Sequence, residues 1–146
     1  MSWLMGQPAD RATILALRPE LAEAHERLIE TIWRSPVPPE TLELCRLRMA
    51  QLLDCGPALR ERTEGVALAE QRVEKLAQWP SDLAFTADER ACLAFAELFV
   101  IDQHAITDEQ AAAVTDALGH AGFVAFTTAL AVWENQHRFD NAMGVR

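Results

Sequence analysis

Apolar residues recur along this chain at three- and four-residue steps, and no stretch alternates with a period of two. The clearest helical signal is Pro39 to Arg62, PETLELCRLRMAQLLDCGPALRER, where Leu42, Cys45, Met49 and Leu52/Leu53 share one face. Asp54-Cys55-Gly56-Pro57 breaks that helix tightly, and a short helix follows from Pro57 to about Thr63. Glu43 lies between Leu42 and Leu44, close to the apolar edge, whereas Arg46, Arg48 and Gln51 are expected in solvent.

The same period predicts the remaining elements. The first eight residues have no period and form a loose arm. A helical piece is expected over Ala9 to Leu17, then a longer helix from Pro19, a residue suited to the first turn, to about Arg34. Leu21, Ala24, His25, Leu28, Ile29, Ile32 and Trp33 mark its buried face, and Ser35-Pro-Val-Pro-Pro39 stops it. Beyond Gly65 a piece over Ala67 to Gln78 precedes a loop at Trp79-Pro80-Ser-Asp. Thr86-Ala-Asp-Glu89 and Thr107-Asp-Glu-Gln110 are capping boxes. The first opens a helix to about Ile101, the second a helix that Gly119 closes, and a last helix runs from Ala121 to Phe139.

Two of these helices are apolar nearly all round. One carries Cys92, Leu93, Phe95, Leu98 and Phe99; the other carries Phe123, Val124, Phe126, Leu130 and Trp133. Such helices need cover on every side, and a chain of 146 residues has little room for two central helices, so an oligomer is expected.

The length fits one domain over 1–146, and with half its residues apolar the chain can bury a core. Its 13 Lys and Arg against 22 Asp and Glu give a formal charge of -9, with Lys75 the single lysine, which argues against nucleic acid as a partner. Residues 1–7 lack a basic leader, and the longest nearly apolar run, about 13 residues from Ala121 to Trp133, falls short of the roughly 20 that span a membrane. Three widely spaced cysteines fit a reducing compartment, so the protein is expected in the cytoplasm and off the membrane.

Chemistry concentrates at the organising stretch. Cys55 stands at a helix start, where the dipole favours thiolate, and it is either a reactive thiol or a buried small residue. Cys45 and Cys92 lie on apolar faces and belong to the core. Cys45 is ten residues from Cys55, about 15 Å along a helix, which is too far for a disulfide. Glu43 near an apolar stripe is expected to have its pKa raised towards neutral unless it is paired. His25 sits on an apolar face, His104 in a turn, and His120 and His137 near helix ends. No pair of them has metal-ligand spacing and the six glycines are isolated, so no metal and no cofactor is expected.

The stretch from Glu43 resembles the carboxymuconolactone decarboxylase and alkylhydroperoxidase D-like (AhpD-like) proteins. Their redox members carry a Glu, eleven residues, Cys-X-X-Cys, three residues and a His. On this chain the Glu falls on Glu43 and the first Cys on Cys55, while Ala58 takes the place of the second Cys and Arg62 that of the His. Leu17-Arg18-Pro19-Glu20, the Thr86 box, His104-Ala-Ile-Thr-Asp and Arg138-Phe139-Asp-Asn141 continue the resemblance from roughly Leu17 to Val145.

The resemblance implies an all-α, AhpD-like bundle of about six to eight helices, assembled as a homotrimer or homohexamer. It implies a Glu43 that serves a proton relay, with Arg62 as its neighbour, and a two-cysteine dithiol that has been lost. Arg62 cannot shuttle protons near neutral pH, so either Glu43 moves protons for a small organic substrate or a Glu43–Arg62 ion pair closes the old site. Two alternatives stand beside the small-molecule reading. One is a single-thiol, peroxiredoxin-type peroxidase acting through Cys55. The other is a non-catalytic binding or structural oligomer.

Overall fold

The computed structural model describes residue 4 and residues 6–146, and among these it holds helices and turns with no strand. The loose arm expected over 1–8 falls partly on residues 1–3 and 5, which lie outside the described residues. The Asp10 side chain accepts from the Thr13 backbone N–H at 2.7 Å and opens α1, Arg11–Leu15, shorter than the helix expected there. Pro19 begins α2, Pro19–Trp33, which buries only Ile32 fully and leaves Leu21 and Leu28 exposed.

The chain then folds around α3, Pro39–Leu52. Its Leu42, Cys45 and Met49 are fully buried, as the stripe requires, but so are Leu44, Leu47 and Ala50 on its other sides. Arg46, expected in solvent, is 4% exposed. The central helix is therefore α3 itself, packed against both later long helices. Its charged residues survive there because Glu43 and Arg46, three residues apart on one face, neutralise each other.

Cys55 caps α4, Gly56–Arg60, after a tight break at which Asp54 has φ 50. Arg62 lies past the end of α4, so it shares no helix face with Cys55. In place of one helix over Ala67 to Gln78 there is α5, Glu70–Glu74, and a 3₁₀ turn at Leu76–Gln78. The Thr86 box opens α6, Ala87–Ile101, and the Thr107 box opens α7, Asp108–Met143, with both reciprocal bonds formed in each. Gly119 interrupts α7 with φ 72 and ψ 170, which divides it into the two helices that the sequence suggests.

Neither α6 nor the second half of α7 is buried all round. On α7 the stripe Gly122, Phe126, Ala129, Leu130, Trp133, His137 and Asp140 faces inward with helical period, while Val124 is 68% exposed. On α6, Cys92, Leu93, Phe95 and Ala96 enter the core and Ile101 is 63% exposed. The core joins Val37 and the apolar residues of α3 to Phe85, Val114, Phe126 and Trp133. Phe95 meets Phe123 edge-on with ring centroids 5.3 Å apart.

Candidate functional site

Glu43 is a buried carboxylate with four donors. Arg46 gives it Nη2 at 2.6 Å and Nε at 2.9 Å, and Thr63 gives it Oγ1 at 2.7 Å and its backbone N–H at 3.1 Å. Burial pushes the Glu43 carboxyl up, but the bonds and charge of Arg46 and the bonds of Thr63 outweigh it and hold the pKa below its ordinary value. The rise towards neutral expected of an unpaired Glu43 is therefore absent, because Arg46 pairs it. The Glu43–Arg62 pair, one of the two alternatives for this site, does not form: Arg62 reaches Glu70 instead, at 2.7 Å and 3.0 Å. Arg46 also donates to the carbonyls of Ala58 at 3.1 Å and Glu61 at 3.0 Å, so it ties α3 to the middle of α4 and to its C-terminal cap.

Cys55 has no accessible surface and packs with Ala50, Ala58 and Leu59 in a small apolar cluster of its own. Burial raises its thiol pKa, Asp140 and Glu61 add to the rise, and the Ala58 N–H and the Arg11 charge oppose it without reversing it. The expected thiolate at a helix start is corrected on that ground. A five-residue helix supplies only a small dipole, and desolvation wins. Cys45 and Cys92 are fully buried, as expected, and burial pushes the Cys92 thiol up to about 12.

Beside the Glu43 pair lies a cavity of about 500 Å³ between α1 and α2 on one side and α3, α7 and the segment after α4 on the other. Arg46 and Thr63, both held by Glu43, border it, and Trp33 and Trp133 form an aromatic wall with ring centroids 5.8 Å apart. A second cavity of about 260 Å³ shares Arg11, Leu15, His25 and Gln136 with the first. Neither Glu43 nor Cys55 lines either of these two cavities, whereas Arg62 borders the larger one.

Several residues here carry no sequence motif. Arg11 of α1 donates to the buried Asp140 of α7 through Nε at 2.8 Å and through Nη2, and contacts Glu61 at 3.4 Å. His25 donates Nε2–H to Gln136 Oε1 at 3.1 Å. His137, expected only as a residue near a helix end, is fully buried and donates Nε2–H to the Arg46 carbonyl at 3.1 Å. Burial lowers its pKa to about 4, so it is neutral, and its Nδ1 has no partner among the described residues. Of these, the 133/136/137/140 spacing on the last helix was readable as one face, but not what that face meets.

Helices packed around a buried central α3, with Glu43 inside α3 and Cys55 at the α3–α4 break, define an AhpD-like all-helical fold. The chain matches the crystal structure of a protein of unknown function from Agrobacterium tumefaciens, described as a candidate AhpD antioxidant defence protein, with a TM-score of 0.79. The match covers 91% of this chain and 94% of that one at 18% identity, so the likeness is one of fold. No protein-family model matches the sequence, and no curated protein is significantly similar to it. Among the described residues no helix is long and apolar enough to cross a membrane, and no group of His, Cys, Asp and Glu could hold a metal ion.

Proposed function

We propose that this chain binds or acts on a small organic molecule in the cavity between α1, α2, α3 and α7, on an AhpD-like scaffold whose two-cysteine dithiol is missing. The observation that carries this reading is the placement of Arg46 and Thr63. Both border a cavity of about 500 Å³, a volume in the range of ligand sites, and both are fixed by the same buried carboxylate. In this reading Glu43 positions Arg46 and Thr63. Proton transfer by Glu43 itself gains no support from a carboxyl held ionised by four donors.

The single-thiol peroxidase reading loses support from the burial of Cys55 and its raised pKa. Assembly as a homotrimer or homohexamer belongs to the proposal, supported by the exposed Ile101 and Val124 on neighbouring helices of the apolar pair. A fragment screen by thermal shift tests the ligand reading, with Ala22→Trp, which fills the cavity from α2, as control. Fragments that stabilise the wild type and not Ala22→Trp are the expected result. Hits that stabilise both proteins alike contradict it.

A further inference from the structure

The donors and charges around the larger cavity are unequally used. Each guanidinium has five N–H groups. Arg11 spends Nε and Nη2 on Asp140 and Glu61, and its Nη1 has no partner among the described residues. Arg46 spends Nε, Nη2 and one N–H of Nη1, leaving the other. The Gln136 side-chain amide nitrogen and the indole N–H groups of Trp33 and Trp133 likewise find no acceptor among the described residues. Residues bordering the cavity thus keep N–H groups without a protein acceptor among the described residues.

Its charge, in contrast, is already balanced. Arg46 is matched by Glu43 with side chains 5% and 1% exposed, and Arg11 by Asp140 with side chains 17% and 0% exposed. Arg62 is matched by Glu70. The remaining charged residues on the cavity's border, Glu26 and Glu61, are acidic and exposed at its rim. A free carboxylate entering this site would lose its hydration and find no uncompensated cation. A neutral carbonyl oxygen meets the spare donors without that cost.

Resting on the cavity reading above, we propose that the ligand is an uncharged carbonyl compound. Its planar apolar body lies against Trp33 and Trp133, and its oxygen accepts from the spare N–H groups of Arg11, Arg46 and Gln136. Leaving those donors unpaired under an apolar ligand costs binding, and this separates a carbonyl from its hydrocarbon analogue.

The test is a set of titrations at pH 7.5, followed by NMR of the backbone amides of Ala12 and Thr63 and the indole N–H groups of Trp33 and Trp133. The probes are acetophenone, benzoate and ethylbenzene, which share a ring and differ in the acceptor and its charge. Acetophenone should bind about tenfold more tightly than ethylbenzene and more tightly than benzoate. Arg11→Lys keeps the charge beside Asp140 and removes the planar fork, and Gln136→Leu removes an uncharged donor; each should narrow the gap between acetophenone and ethylbenzene. Benzoate binding as tightly as acetophenone overturns the proposal while the cavity reading stands, and so does ethylbenzene matching acetophenone. A preference unchanged in both variants overturns the assignment of the donors. No shift with any probe overturns the cavity reading and this inference together.

Discussion

A buried carboxylate with four donors, such as Glu43, stabilises the fold only while its cation stays beside it. Replacing Arg46 by Met strands that charge in the core, and the expected cost is about 3–5 kcal/mol in urea unfolding. The double variant Glu43→Gln/Arg46→Met should lose less than Arg46→Met alone, and a double variant as unstable as the single one contradicts the pairing. His137 makes a second prediction. Its folded pKa of about 4 lies below the unfolded 6.5, so the unfolded chain binds the extra proton between those values. The stability it contributes is complete above pH 6.5 and is lost as pH falls towards 4, on the order of 3 kcal/mol. Urea unfolding at pH 7 and 4.5 should show a larger fall for the wild type than for His137→Gln, and equal falls contradict it. Glu43 adds to acid sensitivity only at lower pH, because its pKa is lowered from 4.5. Of this site, the sequence exposes Glu43 as a misplaced acid and places Arg46 three residues on, but apolar patterning assigns Arg46 to solvent. Thr63, Gln136 and Asp140 come from other helices and loops, and no local pattern announces such contacts.

At the scale of elements, both capping boxes and Pro19 were legible because each acts within one turn. Gly119 was legible for the same reason. Its φ of 72 with ψ 170 is a region that only glycine visits freely, and no atom stands within 4 Å of an added Cβ. Gly119→Ala should therefore cost about 1–3 kcal/mol through the backbone alone, measured by thermal unfolding. A neutral substitution would show that α7 straightens at no cost. Periodicity shows which helices need cover but not which helix is buried on all sides. Apolar content marks α6 and the second half of α7, yet α3 takes the centre, because an internal ion pair lets a helix of lower apolar content be buried on all sides. Cys55 shows the same competition: a local rule for helix starts favours thiolate, and the packing of Ala50, Ala58 and Leu59 around it prevails.

For the whole molecule, the all-helical class follows from helical period and turn residues, the AhpD-like arrangement is what the resemblance of the ordered motifs implies, and the Agrobacterium protein shares that fold at 18% identity. The cavity was not legible, since it lies between α1–α2 and α3–α7, and its walls meet only after folding. Assembly is predicted at this scale: sedimentation at micromolar concentration should give a trimer or hexamer, and Val124→Glu, on an exposed apolar position, should shift it towards monomer. A wild-type monomer refutes it. The central proposal is that function here rests on the cavity, without thiol chemistry at the α3–α4 break. A two-cysteine peroxidase needs a second thiol near the first, and Ala58 stands where that thiol belongs in the resembling proteins. The most direct measurement is peroxide consumption with dithiothreitol as reductant, for the wild type and Cys55→Ser side by side. The account predicts that both match the protein-free rate; turnover by the wild type that disappears in Cys55→Ser would contradict it.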